Sequence, residues 1–249
     1  MRVTLLDIAF DPFDWPGLRA ELHRRLRERI PTQLTVVNAN AVVMAGRDPA
    51  FAAAVRASHL VLCDSAPLQW FSRLRGRALP ARLAGPDVCA VLCELAAEEG
   101  WRCFFLGATP EVLKRMTDRI RARYPGIAVA GTFAPPMRAV FSAEENAAMI
   151  AAINAARPDI LWVGLTAPKQ ELWLHHHLPQ LHCTIAAAVG AAFDFFAGTK
   201  HRAPRWLQRA GLEWFFRLCQ EPRRLARRYL VNNARFCRLA LREMFRAPH

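Results

Sequence analysis

The sequence predicts an α/β protein: a mainly parallel sheet with helices on both faces, followed by a basic helical C-terminal appendage. Three observations carry that expectation. Apolar, β-prone runs alternate with stretches of helical periodicity through residue 199, which is how successive βαβ units read. Several of these runs end in Gly and lead through a short loop into Pro and a helical pattern, as at Phe104-Phe105-Leu106-Gly107 before Pro110 and Trp162-Val163-Gly164 before Pro168. The charge is also uneven. Residues 200–249 hold 13 Lys or Arg against 3 Asp or Glu, a net of +10, whereas residues 1–199 hold 21 against 18, a net of +3. The expected division is therefore an α/β core over 1–199 and an Arg-rich appendage over 200–249.

Taken in order, strands are expected at 3–6, 34–37, 60–63, 103–106, 127–130, 160–163 and 184–189. Helices are expected at 16–28, 50–57, 86–99, 110–124, 143–156 and 168–177. With 53% hydrophobic and 22% charged residues, the chain can bury a large core and is not a disordered protein. The seven cysteines are scattered, with Cys63, Cys103 and Cys183 in strand-like runs, and this is cytosolic usage. The opening MRVTLLD reads as a first strand and is too short for a signal peptide, and no run of about 18 uncharged apolar residues could span a bilayer. No GxGxxG follows the first strand, so a standard dinucleotide site is not supported.

Four stretches bear chemistry. In the first, Pro168 opens a helix with Lys169, Gln170 and Glu171 in its first turn. A strand, a short loop and a helix N-terminus offer backbone N–H groups and a positive dipole end to an anion; the same residues could be a solvated helix start. In the second, Asp64 ends the run Leu60-Val61-Leu62-Cys63. There, a partly desolvated carboxylate could serve as a general base, or it could cap the helix that begins near Pro67. Arg82, Gly85 and Asp87 follow, and Asn38 and Asn40 offer amides after the second strand. The third stretch, Gly190 to Gly198, again places a carboxylate, Asp194, after a strand, and Arg202 follows it.

The fourth stretch is the tail. Arg217, Arg224, Arg227 and Arg228 lie among Trp206, Trp214, Phe215, Phe216, Leu225, Tyr229 and Phe236. An Arg-rich amphipathic helix fits an anionic bilayer surface, set against a nucleic-acid-binding tail or a helical cap whose arginines face solvent. His175-His176-His177 raises a metal site through Glu171 and His175 at i, i+4, set against a polar helix C-terminus where His is favourable; no metal site is assigned.

These stretches together resemble the WecG/TagA/CpsF glycosyltransferases (glycosyltransferase family 26). The resemblance rests on Asn38, Asp64-Ser65, Arg82-x-x-Gly85-x-Asp87, Phe105-Leu106-Gly107, and Gly164 leading to Pro168-Lys169-Gln170-Glu171-x-Trp173. It continues through Gly190-x-x-Phe193-Asp194, Gly198, Arg202-Ala203-Pro204-x-Trp206, Gly211-Leu212-Glu213-Trp214-x-x-Arg217-Leu218, Glu221-Pro222-x-Arg224-Leu225 and Arg227-Arg228-Tyr229. It implies a Rossmann-like core and inverting, metal-independent sugar transfer without a cofactor. The donor would be a UDP-sugar and the acceptor a polyprenyl-diphosphate-linked saccharide, at the inner face of the cytoplasmic membrane. Asp64 matches the proposed general base, and Gln170 lines the same pocket. Arg217, Arg224 and Arg227 or Arg228 match arginines suggested to neutralise diphosphate. Asn38, Asn40, Arg82, Asp87, Gly107, Lys169, Glu171, Asp194 and Arg202 complete the candidate substrate-binding set.

Three positions depart from the family: Ser65 where Gly is frequent and Ala167 before Pro168 are mild differences, and a third matters more. Thr often stands two residues before the strand-end Asn, but here that position is Val36, with Thr35 on the opposite face of the strand. The transferred sugar is left open among N-acetylmannosamine, its uronic acid, glucuronate and glucose. Appendage contact with an anionic membrane is expected, with no nucleic-acid partner, and a homo-oligomer is an allowed assembly. The alternatives are a basic nucleic-acid-binding protein, supported by the tail charge, and a nucleotide-dependent oxidoreductase, which lacks its glycine fingerprint.

Overall fold

A computed structural model of the chain describes residues 1–190 and 192–245, with the side chains of Arg209, Arg224, Arg227 and Arg228 outside the description. The first apolar run does not join the main sheet. Strands β1 (Val3–Leu5) and β2 (Ile8–Phe10) pair antiparallel with each other, with Val3 opposite Phe10. The turn between them holds Leu6 at φ 52° and Asp7 at φ 60°. The left-handed backbone at these two positions reverses the chain as a tight hairpin turn does, and the chain then reaches Asp11, whose N–H donates to the Val61 carbonyl at 2.9 Å.

The main sheet has six strands: β3 (Thr32–Val37), β4 (Leu60–Cys63), β5 (Arg102–Gly107), β6 (Ala128–Phe133), β7 (Ile160–Gly164) and β8 (Ile185–Ala188), in the order β4-β3-β8-β7-β5-β6. All five pairings are parallel. The two middle strands, β7 and β8, are apolar along their whole length because both faces are covered. On one face Leu34, Leu62, Phe105, Trp162 and Ala187 meet α1 (Trp15–Arg27), α5 (Gly85–Glu99), α6 (Pro110–Arg123) and α9 (Ala192–Ala197). On the other, Leu161, Val163, Ala186 and Ala188 meet α7 (Ala143–Ala156) and α8 (Lys169–His177). On that same face Val37, Val61 and Cys63 meet α2 (Ala39–Ala45), α3 (Pro49–Arg56), α4 (Ala66–Leu74) and the hairpin. The result is the Rossmann-like α/β arrangement, with a six-stranded parallel sheet between helical layers.

Helix α2 has no counterpart among the expected elements. It is about two turns of mostly small and β-branched residues, capped by the Asn38 side chain accepting from the Ala41 N–H at 3.0 Å. Burial of Ala41, Val42 and Val43 stabilises it more than propensity does.

After residue 199 the chain forms α10 (Arg205–Arg209), α11 (Glu213–Gln220) and the long α12 (Pro222–Met244). Helix α12 folds back over α2 and the hairpin. Phe236 is buried against Phe10, Val42 and their neighbours, Asn232 donates to the Asn40 Oδ1 at 2.6 Å, and the Leu6 N–H donates to Glu243 at 2.6 Å. Two residues of the expected lipid-facing stripe therefore face inward: Leu225 is fully buried and Phe236 nearly so, whereas Trp206, Phe215, Leu230 and Phe245 are exposed. Among the described residues no helix is long and apolar enough to cross a membrane.

Candidate active site

The strand order reverses beside β3. The chain steps outward from β3 to β4, then crosses to build β5 and β6 on the far side before β7 and β8 fill the middle. The C-terminal ends of strands at such a reversal leave a crevice open for ligand. The candidate residues of the core gather along that edge.

Asp64 follows β4 directly, with its N–H donating to the Val37 carbonyl at 2.9 Å. It does not cap α4: Ser65 occupies the cap position without a side-chain cap bond, and its hydroxyl instead accepts from the Ala39 N–H at 3.2 Å. Protein surrounds the Asp64 carboxyl on nearly every side, although part of the residue remains open to solvent. Burial pushes it up from an ordinary 3.8 to about 7; Arg82 pulls it back, Glu213 pushes further up, and Arg202 and Arg217 pull back again.

Those groups form a cluster drawn from distant parts of the chain. Arg202 holds Asp87 with two parallel hydrogen bonds of 2.5 and 2.6 Å, the bidentate geometry that makes such pairs strong. Arg82 donates to Glu213 at 2.9 Å, and the Arg202 Nε lies 3.5 Å from the other Glu213 oxygen. Asp87 sits in the first turn of α5, whose opening Gly85 slots between β3 and β8. A Cβ at Gly85 would stand 3.4 Å from both the Val189 carbonyl and the Val36 side chain. Arg217 lies over the Phe195 ring at 5.8 Å.

A second polar group lies at the start of α8. Gln170 and Glu171 are both buried. The Gln170 amide donates to Glu171 at 2.9 Å and accepts from the Gly190 N–H at 3.0 Å. Gly190 turns at φ 54° to present that N–H. Among the described residues the Glu171 Oε2 is buried without a hydrogen-bond partner, and burial pushes its carboxyl up from 4.5 to about 7.

Beyond the start of α8 opens a cavity of about 830 Å³, lined by Ala108, Thr109, the 135–141 loop, Gly164 to Lys169, Trp173 and Asp194. Lys169 reaches into this side: its Nζ donates to the Arg138 carbonyl and stands 3.5 Å above the Phe141 ring. Burial holds its ammonium below the usual Lys range. Asp194 pairs with Lys200 at 3.0 Å, and Lys200 also pairs with Glu221 at 3.2 Å. Gly107, at φ 129°, lets β5 and β7 end side by side, since a Cβ there would fall 2.5 Å from the Gly164 carbonyl.

Other candidates lie elsewhere. Asn38 caps α2, and Asn40 is engaged by Asn232 of α12. Thr35 is buried on the far face, sharing a 2.8 Å hydrogen bond with Ser58, while Val36 faces Gly85. Arg224, Arg227 and Arg228 belong to α12, with side chains outside the described part. Among the described residues no cluster of three His, Cys, Asp or Glu could hold a metal ion. His177 instead packs against the Trp173 ring at 5.1 Å. Glu213 is not among the candidate site residues of the sequence; its place in a motif and on one helical face with Arg217 marked it, while its partners Arg82 and Arg202 are remote along the chain.

The profile described as "Glycosyl transferase WecG/TagA/CpsF family" matches residues 3–249. The chain belongs to this family. Among curated relatives, this WecG/TagA/CpsF glycosyltransferase is 30% identical over 200 residues to the N-acetylglucosaminyldiphosphoundecaprenol N-acetyl-beta-D-mannosaminyltransferase of Bacillus subtilis (strain 168), covering 80% of this chain and 76% of that protein. It is 31% identical over 181 residues to the enzyme of the same description from Bacillus spizizenii (strain ATCC 23059 / NRRL B-14472 / W23), covering 73% and 68%. It is therefore a glycosyltransferase, similar to enzymes whose acceptor is a sugar on a polyprenyl diphosphate.

Proposed function

We propose that this WecG/TagA/CpsF glycosyltransferase moves N-acetylmannosamine from its UDP donor to N-acetylglucosamine on a polyprenyl diphosphate, with inversion at the anomeric carbon. The observation that carries the mechanism is the Asp64 carboxyl, ringed by Arg82, Arg202, Arg217 and Glu213 and pushed up to about 7. A carboxylate with that affinity for a proton is matched to general-base work near neutral pH. Asp64 takes the proton of the acceptor hydroxyl as its oxygen bonds to the anomeric carbon, and the bond from that carbon to the UDP oxygen breaks. The arginines then face the diphosphate as it leaves, with charge-assisted hydrogen bonds that strengthen as negative charge develops.

The donor lies along the strand-end crevice, its sugar near Asp64 and its nucleoside in the cavity beyond Gln170, where Thr109, Lys169 and Asp194 supply polar groups. With Val36 and not a hydroxyl at the end of β3, the sugar is held there without that contact. Helices α10 to α12 act as the substrate-contacting appendage. Their exposed Trp206, Phe215, Leu230 and Phe245, with the surrounding arginines, rest on the anionic inner face of the cytoplasmic membrane. The nucleic-acid alternative rests on tail charge alone.

The test is UDP release from UDP-N-acetylmannosamine, its uronic acid, UDP-glucuronate and UDP-glucose, each with and without a short-chain prenyl-diphosphate N-acetylglucosamine, repeated with EDTA. Acceptor-dependent release from the first donor, undiminished by EDTA, is the expected result. Release from another donor alone would reassign the sugar, and none from any would reject the proposal.

A further inference from the structure

We propose that Glu213 is a positioning residue that couples docking of the C-terminal helices to the basicity of Asp64. This rests on Asp64 acting as the base. Glu213 opens α11, and its carboxylate bridges two guanidinium groups, with Arg82 at 2.9 Å and the Arg202 Nε at 3.5 Å. Its side chain is only 17% exposed, and those of Arg82 and Arg202 are 16% and 23% exposed, so water screens the contacts little. An acidic residue in the first turn of a helix also suits the helix dipole, but that effect needs no partner across the cleft. Here the partners come from the loop before α5 and the segment before α10.

The Arg202 Nε is buried and makes no hydrogen bond among the described residues. A small advance of Glu213 would satisfy it. The approach of α11 is itself set by Gly211, at φ 71°, whose Cα lies close against α4: a Cβ there would fall 2.7 Å from Trp70 and 2.9 Å from Ala66. Docking of α11 therefore brings the Glu213 carboxylate and the Arg217 guanidinium to the cleft together, and Glu213 bears on Asp64 more strongly than Arg217 does.

The described groups that face Asp64 are Arg82, Arg202, and Glu213 and Arg217 of α11; the neighbouring Cys63 thiol, pushed up to about 12 by burial, stays neutral. Among the described residues, three cations and one other carboxylate act on the base, with Asp87 neutralising Arg202 from the far side. In that setting Glu213 opposes the arginines, which alone would favour a weakly basic carboxylate. With the tail docked, Asp64 is basic enough to take the proton; with α11 displaced, Arg82 loses its carboxylate partner and Arg202 keeps only Asp87.

The test is the pH profile of kcat/KM for UDP release, measured on the full-length chain with the prenyl-diphosphate acceptor. Glu213→Gln should move the midpoint of the acid limb to lower pH by about half a unit or more, as loss of a nearby like charge does. Glu213→Asp keeps the charge but draws it back by one methylene, and should fall between the two. A folded Glu213→Gln with an unmoved midpoint would overturn the coupling, whatever happens to kcat, because a purely structural role lowers rate without shifting the midpoint. If that variant does not fold, Glu213→Asp at the wild-type midpoint overturns it. Asp64→Asn separates the two readings: unchanged turnover in that variant removes the base itself, whereas lost turnover with an unmoved Glu213→Gln midpoint removes only the coupling.

Discussion

Asp64 should cost the protein stability, and the cost should appear only as the solution becomes less acidic. Its carboxyl is pushed up from 3.8 to about 7 by burial, so the folded state holds the proton more tightly than the unfolded chain does. The sign follows from linkage. Stability from this group is complete below about pH 4, falls as pH rises toward 7, and stays at its lower level above that. About three units at 1.36 kcal/mol each give an upper figure of about 4 kcal/mol, and the residual solvent contact brings this to about 2–4 kcal/mol. Asp64→Asn keeps the shape and removes the charge. For a chain of 249 residues, it should raise the melting temperature by about 5–10 °C at pH 8 and by little near pH 4. Turnover should fall by about 10²–10⁴-fold. Differential scanning fluorimetry across pH 4–9 reads the first effect and UDP release the second. An Asn variant with equal melting gains at pH 4 and pH 8, or none at either, would refute the raised affinity for the proton.

Glu171→Gln should stabilise the fold increasingly from pH 5 to pH 8, because burial likewise raises this carboxyl to about 7; fluorimetry showing no pH trend would contradict it. Gly211→Ala should loosen the tail, since its Cβ meets Trp70 and Ala66 at a positive φ, and acceptor-dependent turnover should drop while the core's melting holds. Phe236→Ala empties a buried ring site between α12 and the hairpin and should cost about 3–5 kcal/mol in urea unfolding. Truncation before residue 200 should abolish sedimentation with anionic vesicles and strongly lower activity; a fully active truncate would remove the tail's role.

The sheet was legible because its strands are buried on both faces, so Leu60-Val61-Leu62-Cys63 and Ile160-Leu161-Trp162-Val163 stand out as continuous apolar runs. The hairpin was not, because its turn is Leu6-Asp7, without the Gly or Asn that marks left-handed backbone in sequence. Asp64 at a strand end could be read locally, but its environment could not. Arg82, Arg202 and Glu213 come together only through strand order and the return of the tail, and an ion pair such as Arg202 with Asp87 spans 115 residues. Asn40 was read as a strand-end amide and is instead engaged by Asn232, since the packing of α12 on α2 leaves no local trace. Lys169 fits the helix-start pattern, yet its long side chain turns to the Phe141 ring.

The most direct measurement is the mass of the lipid product. The chain would be incubated with UDP-N-acetylmannosamine and short-chain prenyl-diphosphate N-acetylglucosamine, and the acceptor analysed by mass spectrometry beside an Asp64→Asn sample. The account predicts an acceptor heavier by one N-acetylhexosamine with the wild-type chain and almost none with Asp64→Asn. An unmodified acceptor with the wild-type chain, or equal product from both, would contradict it.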